Sequence, residues 1–146
     1  MQGIPGSGKS TLARLLQAGF HNLNPTSVGC QICSTDDYHY VDGVYKFQPE
    51  KLGYFHKLNQ EAAIAALSEG KSVIVDNTNI KVKDVKPYVK AAVALNVPVV
   101  FIRVTSNFEN VHGVPADVVA RMRAQMQDLS LERCLGNEKE KEDEQK

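Results

Sequence analysis

The sequence carries no surplus of charge, few cysteines and no long hydrophobic run, and each shortage excludes something. Seventeen basic residues balance seventeen acidic ones. No global positive field therefore gathers nucleic acid or an anionic membrane, and a polyanion has to be bound at a local site. No apolar run is long enough to cross a bilayer, and the N-terminus opens on a glycine-rich stretch instead of a basic and then apolar leader. These features predict a soluble intracellular protein, cytoplasmic or nuclear, with no membrane partner. The three cysteines, Cys30, Cys33 and Cys134, are an odd number in a chain that is not disulfide-dense, which fits a reducing compartment. Cys30 and Cys33 have redox-motif spacing, but they lie in an apolar segment that reads as a strand, where residues three apart face opposite ways. No further ligands at zinc-site spacing accompany them, so they read as small buried apolar residues.

What the chain does have is length and pattern for one modest core: 146 residues, 42% of them hydrophobic. Residues 1–136 are expected to form the domain, and the charged stretch 137–146 a disordered tail. Leu12, Leu15, Leu16 and Phe20 recur at helical spacing and predict a helix opening directly from the phosphate loop, from Lys9 to about Phe20. A strand is predicted over 28–33, a hairpin or irregular loop around Asp42 and Gly43, and a helix over 51–69 stopped by Gly70. A buried strand follows over 72–76. Next comes a helix over 81–95 despite Pro87, with Val82, Val85, Val89 and Val93 inward. A third strand is predicted over 97–104, and a last helix over 115–135 between Pro115 and Gly136. Alternating strands and helices predict an α/β fold, a parallel sheet flanked by helices, with ligands bound beyond the C-terminal strand ends.

Three polar clusters fall at those ends. The stretch Gly3-Ile4-Pro5-Gly6-Ser7-Gly8-Lys9-Ser10-Thr11 satisfies the phosphate-loop, or Walker A, pattern completely. Its glycines permit turns that aim backbone N–H groups at phosphate oxygens, and the helix beginning there adds its positive N-terminal end. Lys9 reaches the terminal phosphates, and the Ser10 hydroxyl coordinates magnesium. ATP and Mg2+ are thus the expected ligands. The second cluster, Asp36-Asp37, follows a strand: Asp36 is read either as general base for an attacking hydroxyl or as a turn cap. The third, Asp76-Asn77-Thr78-Asn79, ends a buried strand, as the magnesium-linked aspartate of many P-loop enzymes does, or forms a polar turn capped by Asn79. Lys83, Lys86 and Lys90 share a helical face and read more readily as solvated lysines than as a nucleic-acid contact. His39, His112, Arg121 and Arg123 are weaker candidates for contact with substrate or transferred phosphate.

The phosphate loop, Ser34-Thr35-Asp36-Asp37-Tyr38 and Val75-Asp76-Asn77-Thr78-Asn79, taken in order, resemble the P-loop kinases related to polynucleotide 5'-hydroxyl kinase. Within them, the sequence is most similar to the kinase-like domain of the NEDD-four-binding protein two family and its short single-domain relatives. The likeness extends through Lys86-Pro87-Tyr88-Val89 and Asn110-Val111-His112-Gly113-Val114. It implies a three-layer P-loop fold and a magnesium-dependent kinase. In that kinase Lys9 and Ser10 handle the triphosphate, and Asp36 is the base for a 5'-hydroxyl on a nucleotide or polynucleotide. Asp76 and Thr78 match the polar strand end beside nucleotide and acceptor, and Asp37, His39, Asn79 and Arg121 are carried as acceptor or phosphate contacts. His39 stands where such kinases can carry an acceptor-binding arginine. Two departures set further expectations. Only Met1 and Gln2 precede Gly3, so the usual first strand is expected to be lacking, as in a truncated or alternatively spliced form. Glu109 also replaces a basic residue before the lid asparagine. The alternative to a kinase is a noncatalytic nucleotide-binding or interaction module derived from one.

Overall fold

The computed structural model describes residues 1–108 and 113–136. The expectations for Glu109, for Asn110 to His112 and for the tail 137–146 lie outside the described residues.

Helix α1 (Lys9–Leu23) starts directly from the left-handed Gly8. Strand β1 (Cys30–Cys33) follows and runs parallel to β4 (Ser72–Val75), with Cys30 opposite Ser72 and Cys33 opposite Val75. Between them, a 3-10 turn over Thr35–His39 leads into the hairpin β2 (Tyr40–Val41) and β3 (Val44–Tyr45). Asp42 and Gly43 both have positive φ, 51° and 76°, which is the two-residue turn whose twist suits a hairpin. Helix α2 (Leu52–Ser68) ends in a Schellman motif: Gly70 N–H donates to Leu67 O and Lys71 N–H to Ala66 O, each at 3.0 Å. Helix α3 (Val82–Ala94) ends the same way, with Asn96 at φ 56° in the glycine-like position. Pro87 lies inside α3 without ending it.

The core has two parts. Cys33, Ala63 and Tyr88 pack with Val73 and Val75, joining the sheet to α2 and α3. Val85, Val89 and Cys134 pack with Val82, Val99, Phe101 and Leu129, fastening the C-terminal residues to α3. All three cysteines are free and buried. Val93, by contrast, is exposed.

Two expectations are corrected. The segment 97–104 is not a strand; among the described residues its pairing is an isolated parallel bridge between Gln2 and Arg103. A ladder needs a neighbour of similar length, and residues 1–3 offer only one register position. They do bond on both sides, through Gln2 N–H to Ile102 O and Val104 N–H to Gln2 O, both 2.8 Å, and Gly3 N–H to Thr78 O at 3.1 Å. The helix expected over 115–135 splits into α4 (Ala116–Ala124) and α5 (Leu131–Leu135). The intervening Gln127 is held by long-range bonds, N–H to Ile80 O and Oε1 accepting from Val82 N–H. Ser130 then restarts the helix by accepting the Arg133 N–H. Helix α1 forms as expected, and along it Ala13 is the buried residue, while Leu15 is 66% exposed and Leu16 and Leu23 are also exposed.

Candidate phosphate-loop site

The loop of residues 3–8 is shaped by glycines that no other residue replaces cheaply. Gly6 and Gly8 have φ 79° and 92°. A Cβ on Gly3 would stand 2.5 Å from Ser7 Oγ and 2.8 Å from Val104 O, closer than heavy atoms approach. The result is a tight turn delivered onto the first turn of α1, where unpaired N–H groups and the helix dipole favour an anion. Ser7 is fully buried, and its Oγ has no partner among the described residues. Such an orphaned hydroxyl inside the turn suits a site built for phosphate oxygens. The loop is closed from outside by Phe108, whose N–H donates to Gly6 O at 2.7 Å and whose ring lies over Gly8.

Lys9 and the two acidic clusters meet here. The Lys9 ammonium donates to Ile4 O at 3.0 Å, folding back on its own loop. Desolvation lowers its pKa, and the charges of Asp76 and Asp36 oppose that shift. Both carboxylates are therefore close enough to act on the ammonium. Asp76, 5% exposed, sits at the end of β4, with its N–H donating to Cys33 O at 2.9 Å. The two strand-end clusters are tied together where Asn77 Oδ1 accepts the Thr35 N–H at 2.9 Å. Asp36 Oδ1 accepts from the Tyr45 hydroxyl at 3.2 Å, so the hairpin reaches the same cluster. Burial, then the Asp36 charge and that bond, push the Tyr45 phenol up to about 12. Asp37 is exposed, yet desolvation raises its carboxyl, with Asp36 and Asp76 adding and Arg14 opposing.

Ser10 and Thr11 are exposed at the start of α1. Thr78 contributes its carbonyl to Gly3, and Asn79, buried at φ 47°, donates its side-chain amide to Met1 O at 2.6 Å. These two thus hold the base of the loop. His39 is fully buried: its ring packs against Phe47 and Phe55 at centroid distances of 4.9 Å, and Nδ1 accepts the Gln48 N–H. Arg121 is on the exposed side of α4, 3.9 Å from Asp117.

Sequence reasoning missed Gln2 and Arg103. Gln2, 2% exposed, donates to Gln127 O at 2.7 Å and Asn79 O at 3.1 Å, and its Oε1 accepts from Arg103 Nε at 2.7 Å. Arg103 continues to Asp128 at 2.8 Å. The network braces the residues that enter the phosphate loop. Nothing in the sequence marks it beyond a polar residue where an apolar one is usual. Of two surface hollows, about 370 and 330 Å3, one is lined by Gln17, Cys30 and Lys71 and the other by Gln2, Phe101 and Asp128, against the bracing network.

No helix of the described residues is long and apolar enough to cross a membrane. The family model described as AAA domain matches residues 1–112. Human NEDD4-binding protein 2 is 38% identical over 132 residues, covering 84% of this chain. That alignment takes in only 7% of the relative's length. With an intact phosphate loop at the head of α1 and a parallel sheet behind it, the chain belongs to the AAA domain family of P-loop nucleotide-binding proteins.

Proposed function

We propose that this chain binds ATP with Mg2+ and transfers the γ-phosphate to a hydroxyl, a 5'-hydroxyl of a nucleotide or polynucleotide. The observation that carries the reading is the convergence of the two acidic strand ends beside the phosphate loop: Asp76 N–H donates to Cys33 O and Asn77 Oδ1 accepts the Thr35 N–H, both at 2.9 Å, and the charges of Asp76 and Asp36 act on Lys9. A phosphoryl transferase needs a cation on the terminal phosphates, a metal-linked carboxylate and a base for the acceptor in one place. In this reading Lys9 draws charge from the phosphates, and the backbone of Gly6, Ser7 and Gly8 cradles them. Ser10 and Asp76 would hold the magnesium. Asp36 takes the acceptor proton as its oxygen attacks, and Tyr45 orients that carboxylate. When bound, Mg2+ supplies charge neutralisation on the phosphate oxygens.

A second reading, a noncatalytic nucleotide-binding module, is favoured by Arg121. It pairs with Asp117 on an exposed helix instead of joining the cluster. One assay separates the two: purified protein with Mg2+ and γ-labelled ATP, offered 5'-hydroxyl DNA, RNA and nucleosides beside the Asp36→Asn variant. Label transfer that Asp36→Asn cuts by at least about 100-fold supports the kinase, in keeping with the usual worth of a positioned base. ATP binding without transfer to any acceptor sinks it.

A further inference from the structure

We propose that the β2–β3 hairpin is a stacking platform for the acceptor's terminal base, with Tyr40 and Phe47 presenting ring faces to it; this rests on the hydroxyl-kinase reading above. The aromatic residues of this chain are concentrated. Of five Tyr and five Phe, six fall between residues 38 and 55: Tyr38, Tyr40, Tyr45, Phe47, Tyr54 and Phe55. Their rings form one connected set through His39, which lies 6.0 Å from Tyr45 and 4.9 Å from both Phe47 and Phe55, while Tyr45 lies 5.5 Å from Tyr40. The underside of the set is packed: His39 and Phe55 are buried. Its other side is not, for Tyr40 is 51% and Phe47 55% exposed.

The position of the platform ties it to the chemistry. Tyr40 and Tyr45 are directly opposite in the hairpin and so share a face, and the Tyr45 hydroxyl is on Asp36. A nucleoside whose 5'-oxygen approaches Asp36 therefore extends along Tyr45 towards the ring of Tyr40. The charges beside the rings, Asp36, Asp37, Asp42 and Glu50 against Lys46 and Lys51, leave no positive excess. Attraction to phosphate is thus not what the hairpin supplies, whereas an aromatic face suits any base. One more group is unaccounted for. His39 Nδ1 accepts from Gln48, so the ring proton of the neutral imidazole is on Nε2, which is buried and without a partner among the described residues.

The test compares a short 5'-hydroxyl oligodeoxynucleotide with the same strand carrying an abasic first residue, first in equilibrium binding and then with Mg2+ and γ-labelled ATP. The variants are Tyr40→Ala, Tyr40→Leu, Phe47→Ala and Phe47→Leu. Exposed Tyr40→Leu keeps apolar bulk and leaves the test open should Phe47→Ala, beside His39, fail to fold. We expect the wild type to bind the intact strand about tenfold more tightly than the abasic one, and the variants to abolish that preference while leaving ATP affinity unchanged. Equal affinity for the two strands in the wild type, or a variant effect equal on both, overturns the platform. Base-dependent binding without phosphoryl transfer keeps the platform and removes the kinase reading. Transfer indifferent to the first base does the reverse.

Discussion

His39 shows how a residue expected at the substrate becomes part of the scaffold. Its imidazole is buried, and its Nδ1 accepts the Gln48 N–H only while that nitrogen is unprotonated. Burial holds the pKa below the ordinary 6.5, His56 adds to that effect, and Asp36 and Glu50 oppose it. The unfolded chain therefore binds the proton more readily, and the contribution of neutral His39 to stability is present above pH 6.5 and lost as the pH falls below it. Denaturant midpoints measured across pH 5 to 8 should fall more steeply on the acid side for the wild type than for His39→Asn, which keeps an acceptor but does not titrate. Identical slopes would remove the assignment. Gly8 is the clearer residue: a side chain there meets φ 92° and the Phe108 ring at 3.1 Å. Gly8→Ala should cost about 1–2 kcal/mol in unfolding and weaken ATP binding in a filter or calorimetric assay. The position of the loop at the head of α1, and of Asp36 and Asp76 after β1 and β4, was legible because the loop has fixed local spacing and both carboxylates follow apolar segments. Gln2 and His39 were not, since their partners Arg103 and Phe55 are distant in sequence and no motif joins them.

Helix ends read well from sequence, and the inner faces of helices less so. Gly70 and Asn96 stop α2 and α3 through bonds that depend only on neighbouring residues, so local chemistry suffices. The Leu15 and Leu16 stripe of α1 obeys the same 3.6-residue period as a buried face, yet periodicity does not say what covers it. In the structure α1 meets β1, and Leu15 remains 66% exposed. Leu15→Gln should therefore shift the unfolding free energy by no more than about 0.5 kcal/mol, where a core leucine lost to a polar residue costs several. A shift above about 2 kcal/mol would mean that this face is covered after all. The segment between α4 and α5 makes the converse point. Gln127 accepts the Val82 N–H, and removing that acceptor leaves the first amide of α3 without it. Gln127→Ala should cost about 1–3 kcal/mol by the same denaturation measurement, although composition alone would place a glutamine on the surface.

Across the whole molecule, the phosphate loop is braced by few bonds. Behind it stand a two-stranded parallel pairing, one isolated bridge at Gln2 and a polar network of Gln2, Arg103 and Gln127. The fold class was legible because strands and helices alternate, and the lack of a first strand because only two residues precede Gly3; the loss of a strand over 97–104 was not, because that segment has strand composition while strand formation depends on a partner. A nucleotide bound to the amides of the loop joins α1 to the ends of β1 and β4, adding to the β1–β4 ladder, to the bond from Gln17 to Cys30 O and to that between Asn77 and Thr35. Binding to the native state alone adds RT ln(1 + [L]/Kd), about 2.7 kcal/mol at a ligand concentration 100 times Kd. For a chain of this size that corresponds to a rise in Tm on the order of 5–10 °C. We therefore expect Mg-ATP to raise the Tm by that amount and Lys9→Ala to abolish the rise without lowering the ligand-free Tm, since the hydrogen bond that Lys9 makes among the described residues goes to the carbonyl of its own loop. An unchanged Tm at saturating Mg-ATP would count against nucleotide binding at this loop, and a large ligand-free loss in Lys9→Ala would make that lysine part of the scaffold.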